Sequence, residues 1–250
     1  MTHISFSHIH RDGQVVFETK EYKQFHNAEF LSHYDSNLIS WKSMPSIRLF
    51  MEVEDVLRHF HAQNKQNHLK FIFPPNEKIS NEIQNYLSSN NYSIGFLELY
   101  SIRPNDFKAN KNSEISVQFV TEENMEDFLE LHFNENLQFG EDFAKEKQNL
   151  LRTQHNIDNF HQIIAYEQSK PVGSVIVIEK EDTAEIDNLF VLPFFQSKGI
   201  GSTIQHFIMA HFHNKTIILV ADGEDTPKEM YQRQNYRLEG YQYEAFKVEK

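Results

Sequence analysis

Phe195-Gln-Ser-Lys-Gly-Ile-Gly201 is the stretch that most restricts how this chain can fold. Only 8 of the 250 residues are glycine, and two of them stand here, one residue apart. An apolar, strand-like run ends before them at Leu192-Pro193, and a good helical sequence follows over Ser202–Phe212. A strand must therefore give way to a helix within a few residues. Two demands could put glycine at that junction: a tight turn, or a ligand that must touch bare backbone. The amides of Ser197 to Ser202 would lack helical acceptors and converge near a helix N-terminus, a place suited to phosphate. Glycine at 199 and 201 would remove the Cβ atoms that hold a pyrophosphate away, and Lys198 would add a positive charge. Neither GxGxxG nor GxxxxGK[ST] is present, so dinucleotide and nucleotide-triphosphate loops of those kinds are disfavoured.

The elements around the loop alternate. SVQFV (116–120) reads as a strand, and Thr121–Asn124 opens a helix with Met125, Phe128, Leu129 and His132 on one side. A second helix is expected over about 141–152. QIIAYEQ, PVGSVIVIEK and AEIDNLFVL read as three strands before the loop, and ILVAD (218–222) as a strand after its helix. Thr226 as N-cap, Pro227 at the first position and Glu229 at the third mark a further helix with a capping box. A last strand follows around Tyr241–Val248. The alternation predicts an α/β fold, a mixed sheet flanked by helices.

The run Arg103–Glu114 is polar and rich in turn formers. It divides the chain into two expected domains, 1–105 and 115–250, with 106–114 as linker. The two domains end alike. HLKFIFPPNEKISNEIQNYLSSNNYSIGFLELY (68–100) and KTIILVADGEDTPKEMYQRQNYRLEGYQYEAF (215–246) each read strand, polar loop with proline, helix, Asn-Tyr, strand. Trp41 and the aromatic FHNAEFLSHY either line a cleft or fill the core of the N-terminal part.

Composition excludes several functions. Cys 0 leaves no disulfide, no thiolate chemistry and no cysteine zinc site. The pairs His59-Phe-His61 and His211-Phe-His213 place their imidazoles on different helix faces, and HExxH is absent, so no metal is expected. A net charge of −12 disfavours nucleic acid as partner. No segment approaches the ~20 apolar residues of a membrane span, and no secretory signal is visible. A cytoplasmic location is expected.

The window Val191-Leu-Pro193-x-x-Gln196-x-x-Gly199-x-Gly201 closely resembles the signature of the GCN5-related N-acetyltransferase (GNAT) family. Tyr231-Gln-Arg-Gln-Asn235-Tyr236 resembles that family's C-terminal Tyr-x-x-x-Gly-Phe segment, and the resemblance spans about residues 115–248. It implies an acyl-CoA N-acyltransferase-like fold with a mostly antiparallel mixed sheet. It implies acetyl-CoA as cosubstrate, without a metal, and an acetyl group passed to a primary amine by direct attack in a ternary complex. Gln196, Ser197, Lys198, Gly199, Ile200, Gly201 and Ser202 would hold the pyrophosphate. Leu189, Phe190 and Val191 would offer backbone groups to pantetheine and the acetyl carbonyl, at a splay between their strand and ILVAD. Tyr231 would be the general acid toward the departing thiolate, or a packing tyrosine. Glu185 and Asp187 share a strand face, as a base acting directly or through water or as a merely solvated face.

Departures are present. Asn235 stands where the family has glycine, and Glu224 and Pro227 where many relatives have Asn and Ala. The N-terminal part resembles a degenerate GNAT-like half, because Leu87 aligns with Tyr231 and no Gln-x-x-Gly-x-Gly precedes Phe71. That half is expected to pair with the catalytic domain and shape the acceptor cleft. The acceptor is a small-molecule or peptide amine, and the protein a monomer or homodimer. The reading of another class is a CoA-binding sensor or interaction module without turnover.

Overall fold

A computed structural model describes residues 3–223 and 227–249. Glu224 and Thr226, and with them the expected N-cap, lie outside the described residues. The chain forms two compact units. One contains Arg11–Glu98, Ala221 and its neighbours, and the chain from Gly240 on. The other contains the residues through His10, Leu99–Val220 and the segment that ends at Glu239. In chain order the elements begin with β1 (Gln14–Glu18), β2 (Tyr22–His26), β3 (Leu38–Trp41), α1 (Ile47–Gln63), β4 (His68–Ile72), α2 (Asn81–Ser89) and β5 (Ser93–Ile102). They continue with β6 (Ile115–Phe119), α3 (Met125–Asn136), α4 (Glu141–Gln154), β7 (Phe160–Glu167), β8 (Lys170–Glu179) and β9 (Thr183–Val191). The last are α5 (Ile200–His211), β10 (Thr216–Asp222), α6 (Pro227–Arg233) and β11 (Arg237–Val248).

In the first unit β1, β2 and β3 pair antiparallel in sequence, β3 and β4 are parallel, and β4 is antiparallel to β11. Ser46 caps α1 by accepting the Leu49 amide at 3.3 Å. The helix then buries Phe50, Val53, Glu54, Leu57 and His61, the three-and-four spacing of one helical face. That face meets Phe71, Phe73, Ile83, Leu87 and Trp41 in one core. Trp41 is 2% exposed, so it fills the core. Glu54, equally buried, accepts hydrogen bonds from the Tyr86 and Tyr92 hydroxyls and pairs with Arg58. A buried carboxylate is tolerable only with such partners.

In the second unit β6, β7, β8 and β9 form an antiparallel meander, and β9 pairs in parallel with β10. The fold is thus a mixed, mostly antiparallel sheet flanked by helices, built in two tandem parts. Val120, Phe128, Leu129, Leu151, Ile164 and Ile176 form the core between the meander and α3 and α4. Among the described residues no helix is long and apolar enough to cross a membrane.

The repeat read from the sequence extends to individual hydrogen bonds. Asn91 and Asn235 both take positive φ, 60° and 75°. Behind them the Tyr92 amide donates to Leu87 O at 3.0 Å, and the Tyr236 amide to Tyr231 O at 2.9 Å. Asparagine tolerates the left-handed conformation that this helix end needs, so Asn235 serves where glycine is usual.

His61 and His68 face each other in the first unit's core, ring centroids 4.4 Å apart. His61 Nδ1 bonds to His68 O and His68 Nε2 to Asn37 O, so each ring donates one N–H to a carbonyl. Burial pushes both imidazoles below their ordinary range, His68 to about 4. The unfolded chain therefore takes up protons first as pH falls below about 6.5. The contribution of His68 to stability should be level above that pH and fall by about 3 kcal/mol between pH 6.5 and 4. His68→Gln should flatten the fall in thermal midpoint over that window; an unchanged slope would refute the assignment.

Candidate functional site

Strand β9 organises the site. Its parallel register with β10 runs from Thr183↔Thr216 to Ile186↔Leu219. The strand itself continues to Val191, so its last residues part from β10. Opposite β8 the register slips, with Asp187 facing Ile176 and Phe190 facing Ser174. Asn188 and Leu189 therefore oppose Val175 alone, and Asn188 has φ 50°. Such a bulge turns the local backbone away from regular pairing. Gly173 makes room for it, since a Cβ there would lie 2.8 Å from Phe190 O. On the α3 side His132 is buried, with Nε2 2.9 Å from Ser174 Oγ and Nδ1 3.5 Å from Asn188 Nδ2. Burial, with Lys147 beside it, holds this imidazole neutral, its pKa lowered to about 3.

The glycine loop follows. A 3-10 turn over Pro193–Phe195 leads to Gln196, whose side chain donates to Val191 O at 3.1 Å. Ser197 has φ 62° and Gly199 φ 78°. Gly199 is the N-cap of α5, so the helix starts two residues before the expected Ser202. Thr203 supplies the first amide of this run that finds an acceptor among the described residues, Gly199 O at 3.0 Å. The amides from Ser197 to Ser202 are thus left at the helix N-terminus. Asn112 braces the loop by donating to Lys198 O at 2.9 Å and, through its amide, to Thr203 Oγ1.

The two glycines differ in cause. The left-handed φ of Gly199 is a turn requirement. Gly201 is helical, and a Cβ there would meet only Val191 Cγ2, at 3.9 Å. Among the described residues nothing needs residue 201 to be bare, so its bareness suits a group from outside. Ile200 is buried beneath the loop. The Lys198 ammonium leans toward Glu167, 3.7 Å away, and over the Phe195 ring. Gln234 Nε2 reaches Ser202 Oγ at 3.3 Å, and the Tyr236 hydroxyl donates to Gln205 at 2.8 Å, tying the end of α6 to α5.

Tyr231 is half-buried on α6, its ring 5.4 Å from those of Tyr100 and Tyr236. Its hydroxyl bonds to none of the described residues, and burial raises its pKa. Glu185 is 6% exposed and accepts the His10 amide at 2.7 Å. Burial raises its carboxyl to about 7, with Asp187 pushing the same way and the His10 N–H opposing. Asp187 is partly exposed and lies on the same face, opposite Ile176 while Glu185 lies opposite Ile178. Leu189, Phe190 and Val191 are half-buried at and after the bulge. The loop residues and the end of β9 are brought together; Glu185 lies deeper, where β9 and β10 are still paired. No residue pattern marks the His10 amide in advance. His132 was visible only as one more residue on the apolar side of its helix.

Residues 158–238 match the model of the acetyltransferase (GNAT) domain, and residues 4–100 match a domain of unknown function, DUF5613. No curated protein sequence matches the chain. A functionally unknown conserved protein from Staphylococcus epidermidis is 32% identical and superposes with a TM-score of 0.91, over 99% of this chain and 98% of that one. A GCN5-related N-acetyltransferase from Sphaerobacter thermophilus is 10% identical with a TM-score of 0.64, over 91% of this chain and 76% of that one. A tandem GNAT protein from the clavulanic acid biosynthesis pathway is 7% identical with a TM-score of 0.53, over 84% of this chain and 75% of that one. At such identities the last two show a shared fold. Residues 158–238 are therefore a domain of the GNAT acetyltransferase family, and the part before it, matched over residues 4–100, fits a degenerate GNAT-like half.

Proposed function

We propose that this protein is an N-acyltransferase that moves an acetyl group from acetyl-CoA to a primary amine. The observation that carries this reading is the α5 N-terminus. There the amides of Ser197 to Ser202 stand without acceptors among the described residues, beside a glycine at 201 that the chain's own packing does not require. An anionic pyrophosphate fits such a cradle by hydrogen bonds and by the helix dipole. Leu189, Phe190 and Val191, beyond the point where β9 leaves β10, would present backbone groups to the pantetheine arm and the thioester carbonyl. Residues 115–250 would be the catalytic domain.

Acetyl-CoA would supply the activated acyl thioester; the chain would manage protons. Glu185, with Asp187 beside it, would take the proton that the attacking amine must lose as its nitrogen bonds to the carbonyl carbon. A carboxyl raised to about 7 is suited to that exchange near neutral pH. As the carbon–sulfur bond breaks, Tyr231 would give its phenolic proton to the thiolate. Burial keeps that phenol protonated at neutral pH. A strand N–H would stabilise the tetrahedral oxyanion.

Three outcomes test the reading. Acetyl-CoA at ~100 times its Kd should add about 2.7 kcal/mol of stability, seen as a raised thermal midpoint that Gly201→Glu abolishes. No shift at millimolar ligand would leave the loop a turn and nothing more. Tyr231→Phe should lower turnover on the order of 100-fold at unchanged acetyl-CoA affinity; equal turnover would remove Tyr231 from the mechanism. Because the base must be ionised, activity should fall as pH drops through about 7, and Glu185→Gln should lose that limb of the profile.

A further inference from the structure

We infer that the N-terminal strap, Ile4–His10, is part of the catalytic apparatus: its His10 backbone amide positions the Glu185 carboxyl as the proton acceptor. This rests on the reading of Glu185 as the base. The strap lies outside residues 158–238, the span of the acetyltransferase domain, yet it folds with that unit.

Three kinds of contact seat it. Ile4 is buried with Leu99 and Ile218, and Phe6, Ile9 and Val220 pack against them. Ser5 caps the 3-10 turn Phe6–His8, and the Lys180 ammonium donates to His8 O. The His10 ring meets Phe160 edge-on at 5.1 Å. So anchored, the strap brings the His10 N–H to Glu185 Oε2 at 2.7 Å across 175 residues of sequence. Glu185 pairs in register with Ile218, the residue on which the strap packs. The strap therefore does two opposing things. It shields the carboxyl from water, which favours the protonated form, and it gives the anion one fixed hydrogen bond, which favours ionisation.

An anchor alone does not explain a glutamate here. Glutamine would accept the same amide without the cost of burying a charge. A carboxyl held by one donor, with Asp187 on its own strand and Lys180 and His10 also within electrostatic reach, is placed to exchange a proton.

Carboxyl 13C NMR titration of the full-length protein tests the strap directly, with the Glu185 resonance assigned by its loss in Glu185→Gln. His10→Ala keeps the backbone N–H and loses only the imidazole's weaker electrostatic and packing effects, so it should move the Glu185 midpoint far less than the proline variant does. His10→Pro removes that N–H and should move the Glu185 midpoint up by about one pH unit. Ile9→Ala, which loosens the packing and admits water, should move it down toward the ordinary carboxylate range; this variant serves if the proline form fails to fold. Midpoints unmoved in both would overturn the inference. If they move as expected while Glu185→Gln retains full acetyl transfer, the strap's hold on the carboxyl stands and the base reading falls instead.

Discussion

The site depends on β9 giving up its partner. A strand in a sheet normally spends its backbone donors and acceptors on neighbours, and β9 does so with β10 only as far as Ile186. Beyond that residue the bulge at Asn188 and Leu189 redirects the backbone, and the Val191 carbonyl is taken by the Gln196 side chain. The strand can then run straight into the 3-10 turn and the α5 N-terminus. A fully paired β9 would leave no backbone group for a ligand, however well the glycine loop were formed. The bulge in turn needs Gly173 beside it, because a Cβ there would lie 2.8 Å from Phe190 O, and burial keeps the His132 imidazole behind it neutral.

Glu185 belongs to a different environment from the loop. It sits where β9 and β10 are still paired, under apolar residues, and only one described amide reaches it. Burial raises a carboxyl because the anion loses water without gaining an equal substitute. Asp187, two residues on and more exposed, adds its charge to that effect. One strand thus offers two carboxyls in unequal surroundings, one buried and one partly exposed.

The two units repeat a local structure and diverge in chemistry. Both end a helix with Asn-Tyr in the same left-handed turn, with matching hydrogen bonds. In the first unit the position equivalent to Tyr231 is Leu87, wholly buried, and the paired tyrosine, Tyr92, is committed to Glu54. In the second, Tyr236 bonds to Gln205 while the Tyr231 hydroxyl has no partner among the described residues.

Much of this was legible in the sequence because it depends on near neighbours. Residues 193–201 specify a strand, a turn and a helix start through local φ and hydrogen-bonding needs, and Asn91-Tyr92 and Asn235-Tyr236 mark helix ends in the same way. The α5 start was misplaced by two residues, because Gly199 caps the helix by conformation with no side-chain signal, and the last strand begins at Arg237, four residues before the expected Tyr241. Tertiary structure decided the rest. Asn112 braces the loop from the polar run before β6, His132 reaches the β9 bulge from α3, and the His10 amide reaches Glu185 from the start of the chain. Each of these joins groups far apart in sequence, and one of them is a backbone amide, which every residue but proline possesses and no residue type announces. The sequence by itself determined the elements and the loop, since those follow from local sterics and periodicity. Which carboxyl is buried, and which amide faces it, only the packed chain decided, since burial and distance are properties of the whole fold.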